Sequence, residues 1–151
     1  MLKALSDRPD IDNLHRFLER LLETRGEDVE FVILFGSMAK GNWSFGSDYD
    51  VLVGLRGPDG KRFIDRIGEF DSLVKGNIDV FPYDRPAWER MFASFHLLFL
   101  EALEYGIILF DRGAAAAMLG EFRQWKARGI VTPMRSGWKI NGIVGCETGP
   151  Q

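Results

Sequence analysis

Apolar positions along the chain fall into two kinds of pattern, and together these predict an alternation of helices and strands. From Asp10 to Thr24, DIDNLHRFLERLLET, the residues Ile11, Leu14, Phe17, Leu18, Leu21 and Leu22 recur at helical spacing and form one buried stripe. Asp10 is placed to cap this helix and Gly26 to stop it. VEFVILFG, ending at Gly36, is a continuous apolar run, the pattern of a central strand covered on both faces. DVLVGL predicts a second strand, and PDGKR at 58–62 marks a turn. Between Arg62 and Leu73, Phe63, Ile64, Ile67, Phe70 and Leu73 return to a helical period. NIDVFPY predicts a third strand, ended by Pro82 and Pro86. The Phe-, Leu- and Met-rich stretch from Ala87 to Tyr105 reads as one long buried helix or a bent pair. GIILF gives a fourth strand, and Ala114 to Arg128 a last helix. Residues 141–151 show no periodicity and are expected to form a flexible tail. The pattern predicts an α/β fold, a small mixed sheet of about four strands flanked by helices. The 151 residues form a single domain, with a core over 1–110 and a C-terminal helical extension over 111–140.

Composition adds exclusions. Hydrophobic residues make up 46% and charged residues 27%, ordinary for a chain with a buried core. No apolar stretch is long enough to span a membrane, and the first residues lack the apolar segment of a signal peptide, so the cytoplasm is the expected compartment. Cys146 is the single cysteine, which rules out an intramolecular disulfide. The net charge of −3 does not indicate an extensive nucleic-acid footprint, although a nucleic-acid partner stays open. That charge is uneven. Arg112, Arg123, Lys126, Arg128, Arg135 and Lys139 face only Glu121 and Glu147 after residue 111, so this part is basic. It is either a solvated helix face or a contact for phosphates or an acidic partner.

The chemistry concentrates in LFGSMAKGNWSFGSDYDVLV, residues 34–53. Side chains alternate along a strand, so Asp48 and Asp50 point one way while Tyr49 and Val51 point the other. Two carboxylates about 4 Å apart at an effective dielectric of 20 repel by roughly 4 kcal/mol unless a cation lies between them. Hard oxygen ligands suit Mg²⁺ or Mn²⁺. Asp79, between Ile78 and Val80, is a third acid in an otherwise apolar strand and needs a partner. With that strand beside the first pair, the three aspartates form one cluster able to hold two metal ions, the arrangement that serves in-line phosphoryl or nucleotidyl transfer. Gly36 and Ser37, where a strand ends and a short helix begins, can face a polyphosphate through backbone N–H groups and the hydroxyl. Lys40 and Ser47 are secondary phosphate candidates.

Gly-Ser, ten intervening residues, then Asp-Tyr-Asp, with a later strand carrying a single Asp, resembles the signature of the DNA polymerase beta-like nucleotidyltransferase superfamily. The short chain is most similar to its minimal nucleotidyltransferases. The resemblance covers residues 29–82 by motif and reaches 110 by element order. It implies the nucleotidyltransferase fold, with Asp48 and Asp50 as metal ligands and Asp79 as third ligand and base for the incoming hydroxyl. Gly36 and Ser37 would hold the nucleoside triphosphate. It further implies ATP as substrate, transfer of AMP, and an antitoxin role toward a helical HEPN-type ribonuclease toxin whose tyrosine is the acceptor. Two other functions remain open. One is transfer to a small molecule, as in aminoglycoside nucleotidyltransferases, for which the residues after Arg112 are few. The other is a non-catalytic module that neutralises its partner by contact alone.

Several residues carry less. His15 and His96 sit on apolar helix faces without a spaced metal partner and read as packed or surface residues. Trp43 and Phe45, in the gap between Gly-Ser and the aspartates, either stack on a base or close over the core. Trp88, Trp125 and Trp138 read as packing or interface residues, and the stretch 91–103 as core or as a partner-facing groove.

Overall fold

Each of the four apolar runs becomes a strand of one sheet in the computed structural model, which describes residues 5–141. The chain runs α1 (Ile11–Arg25), a single 3-10 turn (Gly26–Asp28), β1 (Val29–Phe35), α2 (Ser37–Lys40), β2 (Tyr49–Leu55) and α3 (Phe63–Asp71). It continues through β3 (Ile78–Tyr83), α4 (Arg85–Ala93), α5 (Leu97–Tyr105), β4 (Ile107–Asp111), α6 (Ala114–Ala127) and a hairpin of β5 (Val131–Met134) and β6 (Gly137–Ile140). The sheet order is β3-β2-β1-β4. β1 is antiparallel to both neighbours, whereas β2 and β3 are parallel. A parallel pair needs a crossover, and α3 supplies it.

Strand alternation sorts the core into two halves. Val32, Leu34, Tyr49, Val51, Val53, Ile78 and Val80 face α1 and α3, where Leu14, Phe17, Leu21 and Phe70 cover them. Phe31, Ile33 and Leu52 face Trp88 and Phe92 of α4, Phe99 and Leu103 of α5, and Met118 and Phe122 of α6. Gly54 lets the Phe31 ring cross β2, since a Cβ there would overlap that ring. Phe31 then meets Trp88 edge-on at 5.1 Å, and Trp88 donates its Nε1–H to the Leu55 carbonyl at 2.8 Å.

The structure departs from the sequence pattern at identifiable places. Pro82 does not end the third strand but lies within it, which an edge strand tolerates because its outer side needs no ladder bond. The stretch after Ala87 is the bent pair: Phe95 takes φ 60, and His96 restarts the helix by accepting the Leu98 N–H on Nδ1 at 3.2 Å. Asp10 precedes α1 but its side chain makes no capping hydrogen bond. β5 and β6, four residues each, are too short to show a period, and Val131 with Trp138 packs them onto the second core. Two of the basic C-terminal residues serve the fold: Arg112 donates to the Val29 and Gly26 carbonyls, both at 2.8 Å, and Lys126 pairs with Glu104 at 2.5 Å. The expected tail, Cys146 included, lies outside the described residues apart from Asn141. Among those described, no helix is long and apolar enough to cross a membrane.

Candidate active site

The site begins with the parallel register of β2 and β3. Asp50 stands opposite Asp79, and on its other side pairs with Phe35 of β1. Asp50 and Asp79 therefore point to the same face of the sheet, the face of Phe31, Ile33 and Leu52. Asp48 precedes the first residue of β2 by one position. The three sequence-selected carboxylates are thus neighbours, contributed by a loop end, a central strand and an edge strand.

Their electrostatics follow from this placement. Asp50 has its pKa pushed up to about 6, first by burial and then by the charges of Asp79 and Asp48. Asp79 is raised by burial and by Asp48, which lies close enough to share a proton with it. Among the described residues no cation or hydrogen-bond donor is seen on any of the three. They do not form a closed cage: no three His, Cys, Asp or Glu side chains among the described residues converge tightly enough to enclose one metal ion. The donor set nevertheless fits a hard divalent cation, being all carboxylate oxygen, mutually repelling and otherwise unpartnered.

Gly36 connects β1 to α2 with φ 78 and ψ −162, a backbone region essentially reserved for glycine. A Cβ there would press into the Asp50 carboxylate, 3.3 Å from its Cγ and nearer still to Oδ2. The Gly-Ser turn therefore lies directly against the acidic pair. Lys40 and Ser47, the secondary candidates, are engaged elsewhere. The Lys40 ammonium is 3.1 Å from Glu101 and 4.6 Å from the Tyr105 ring centroid. The Ser47 hydroxyl accepts the Ser44 N–H at 2.9 Å and closes a turn just ahead of Asp48.

Asn77 escaped the sequence reading. Its side chain donates to the Ser47 carbonyl at 3.2 Å and accepts from Asn13 at 3.0 Å, while its own carbonyl accepts the Tyr49 N–H at 2.8 Å. Asn77 therefore latches the loop bearing Asp48 to the strand bearing Asp79. Its only sequence signal is a turn-forming Gly-Asn just before an acid-bearing strand, and such pairs are common in turns. Tyr49 supports the same corner from the opposite face, donating its hydroxyl to the Pro9 carbonyl at 2.8 Å. Burial pushes that phenol up to about 12.

The site lies on open surface. Asp48 and Asp79 are exposed and Asp50 is half-buried. They lie outside the concavity formed by Arg25, Asp28 and Leu55 to Asp59, outside the one formed by Lys61, Arg66, Tyr83 and Met91, and outside the one formed by Lys40, Leu97, Glu101, Tyr105 and Met134.

Comparison with known proteins agrees with this architecture. No curated protein matches the chain. Among solved structures, a provisionally assigned nucleotidyltransferase from Sulfolobus solfataricus is 21% identical, covers 67% of this chain and 79% of its own, and superposes with a TM-score of 0.51. A toxin-antitoxin structure with AMP-PNP is 14% identical over 77% of this chain and 88% of its own, with a TM-score of 0.50. A mutant form of the toxin-antitoxin MntA-HpeT is 15% identical over 77% of this chain and 87% of its own, with a TM-score of 0.51. These likenesses establish the fold. The sequence profile of the family described as Polymerase beta, Nucleotidyltransferase matches residues 18–112, more than half of the chain and the whole of the acid-bearing sheet, and the protein belongs to that family.

Proposed function

We propose that the chain transfers a nucleoside monophosphate from a nucleoside triphosphate to a hydroxyl acceptor, using Asp48, Asp50 and Asp79. The observation that carries this reading is the in-register pairing of Asp50 with Asp79, with Asp48 beside them and Gly36 packed against the Asp50 carboxylate. A fold does not otherwise gain from three unpartnered acids at one sheet end. The three carboxylates would hold Mg²⁺ or Mn²⁺, which supplies charge neutralisation on the polyphosphate and polarises the reacting phosphoryl group. Gly36 and Ser37 grip the triphosphate with backbone N–H groups and the serine hydroxyl. Asp79, exposed on the edge strand, takes the proton of the acceptor hydroxyl, whose oxygen attacks the α-phosphorus as pyrophosphate leaves. Asn77 keeps the two acid-bearing segments in register during this step.

The acceptor we favour is a macromolecule, specifically a tyrosine hydroxyl of a helical HEPN-type toxin, with ATP as donor and the chain as antitoxin. The open setting of the carboxylates supports it, with Asp48 and Asp79 exposed and Asp50 half-buried, because a protein acceptor brings its own surface to such a site. The fold shared with toxin-antitoxin structures, one of them with AMP-PNP, points the same way. Calorimetric titration with ATP, with and without Mg²⁺, tests the site. Wild type is expected to bind only with the metal, and the Asp48→Asn/Asp50→Asn double variant to lose that binding. Wild type that binds no nucleoside triphosphate with Mg²⁺ or Mn²⁺ present would refute the assignment.

A further inference from the structure

Two aromatic residues occupy the loop between α2 and β2, and the fold treats them differently. Trp43 packs half-buried on the first core, with the Arg8 guanidinium 6.0 Å from its ring centroid. Arg8 in turn donates Nε–H to the Met38 carbonyl of α2 at 2.8 Å. Trp43 therefore closes the loop over the core. Phe45 does not: it is 88% exposed, and its ring meets the edge of Trp43 at 6.3 Å and 73°. An exposed phenyl ring forgoes most of its burial free energy, and the edge contact with Trp43 recovers little of it. Nor is the loop slack. The Ser47 N–H donates to the Ser44 carbonyl at 2.9 Å and the Ser44 N–H to the Ser47 hydroxyl at 2.9 Å, a turn that places Phe45 inside its span.

The loop that carries this turn joins two parts of the proposed site. Ser37 opens α2 on one side, and Asp48 follows Ser47 on the other. Three residues separate Phe45 from Asp48, a backbone span of at most about 11 Å, within the reach of one nucleoside extending from its α-phosphate. We propose that Phe45 is the platform on which the nucleobase of the bound nucleoside triphosphate stacks. This rests on the reading of Asp48, Asp50 and Asp79 as a nucleoside triphosphate site. Every base offers a π-face, so the contact selects for a base over none and ranks bases by stacking strength, not by hydrogen-bond pattern.

The test is calorimetric titration of the full chain with ATP and with inorganic triphosphate, both with Mg²⁺, on wild type, Phe45→Ala and Phe45→Trp. Wild type is expected to bind ATP more tightly than triphosphate. Phe45→Ala is expected to lose roughly 5- to 150-fold in ATP affinity with triphosphate binding unchanged, and Phe45→Trp to retain ATP affinity. Thermal melting of Phe45→Ala should match wild type, since the ring is exposed. If wild type does not distinguish ATP from triphosphate, or if Phe45→Ala weakens both equally or neither, the stacking role is overturned while the phosphate site stands. If wild type binds neither ligand, both readings fall.

Discussion

Replacing Asp50 by Asn removes one of three neighbouring charges from a partly buried position and keeps the side-chain shape, so the metal-free protein should become more stable. The carboxyl's pKa rises from 3.8 to about 6, through burial first and the Asp79 and Asp48 charges second. That rise sets a ceiling of about 3 kcal/mol for the penalty of holding Asp50 ionised. Asp50 is only half-buried, and solvent screening reduces the expected gain to about 1–2 kcal/mol. Because the folded state keeps the proton longer than the unfolded chain, wild-type stability falls as pH rises from about 4 to about 6 and carries the full penalty above it. Urea denaturation in chelator at pH 7.5 should therefore show Asp50→Asn more stable than wild type, with the two converging near pH 4. Saturating Mg²⁺ should restore stability to wild type by mass action and leave the variant unchanged. A variant no more stable than wild type at pH 7.5 without metal would refute the claim that this site stores electrostatic strain.

Gly36→Ala should cost roughly 2–4 kcal/mol in urea denaturation and abolish nucleoside triphosphate binding, because its backbone region costs about 1–3 kcal/mol for other residues and its Cβ would displace the Asp50 carboxylate. Asp59→Asn strips the carboxylate bound at 2.7 Å by both Nε and Nη2 of Arg66, a guanidinium only 4% exposed. With Asp84 still 3.6 Å away, the loss at pH 7 should be about 2–4 kcal/mol by denaturation, below the usual range for an orphaned buried charge. The Arg66 hydrogen bonds hold the Asp59 pKa down to about 2, so wild type should keep this stabilisation above about pH 4 and lose it as pH falls toward 2. Asp111→Ala removes the acceptor of the Gly113, Ala115 and Ala116 N–H groups, at 2.8, 2.9 and 2.9 Å, and should cost about 1–2 kcal/mol, with faster amide exchange in the first turn of α6.

The sequence made the acid-bearing half of the molecule readable because each chemical residue there sits against its surroundings. Asp79 interrupts an apolar strand, Asp50 stands at the start of one, and Gly36 ends one, so the strands and the anomalies identify each other. What stayed hidden depends on partners distant in the chain. Asn77 gains meaning only when Ser47 and Asn13 arrive beside it, and Lys40 is drawn to Glu101 by a helix far later in the chain. The pattern around Phe95 fits a long helix as well as a bent pair, because both helices bury the same residue types, and the bend was decided only by the fold. The choice between Trp43 and Phe45 as loop anchor turned on Arg8, whose pairing with Met38 no local pattern announces.

Pro82 has a consequence for how other molecules come to this protein. β3 is the outermost strand on the side that carries Asp79, and an outermost strand is ordinarily an invitation for another chain to add itself by backbone pairing. Pro82 has no N–H to offer such a recruit, and it interrupts the outer row of donors midway between Asp79 and the start of α4. Sheet extension, and the self-templated stacking that follows from it, is blocked along the one border where it would bury the acidic cluster. Visitors to Asp79 must therefore arrive over the face of the sheet, side chain first.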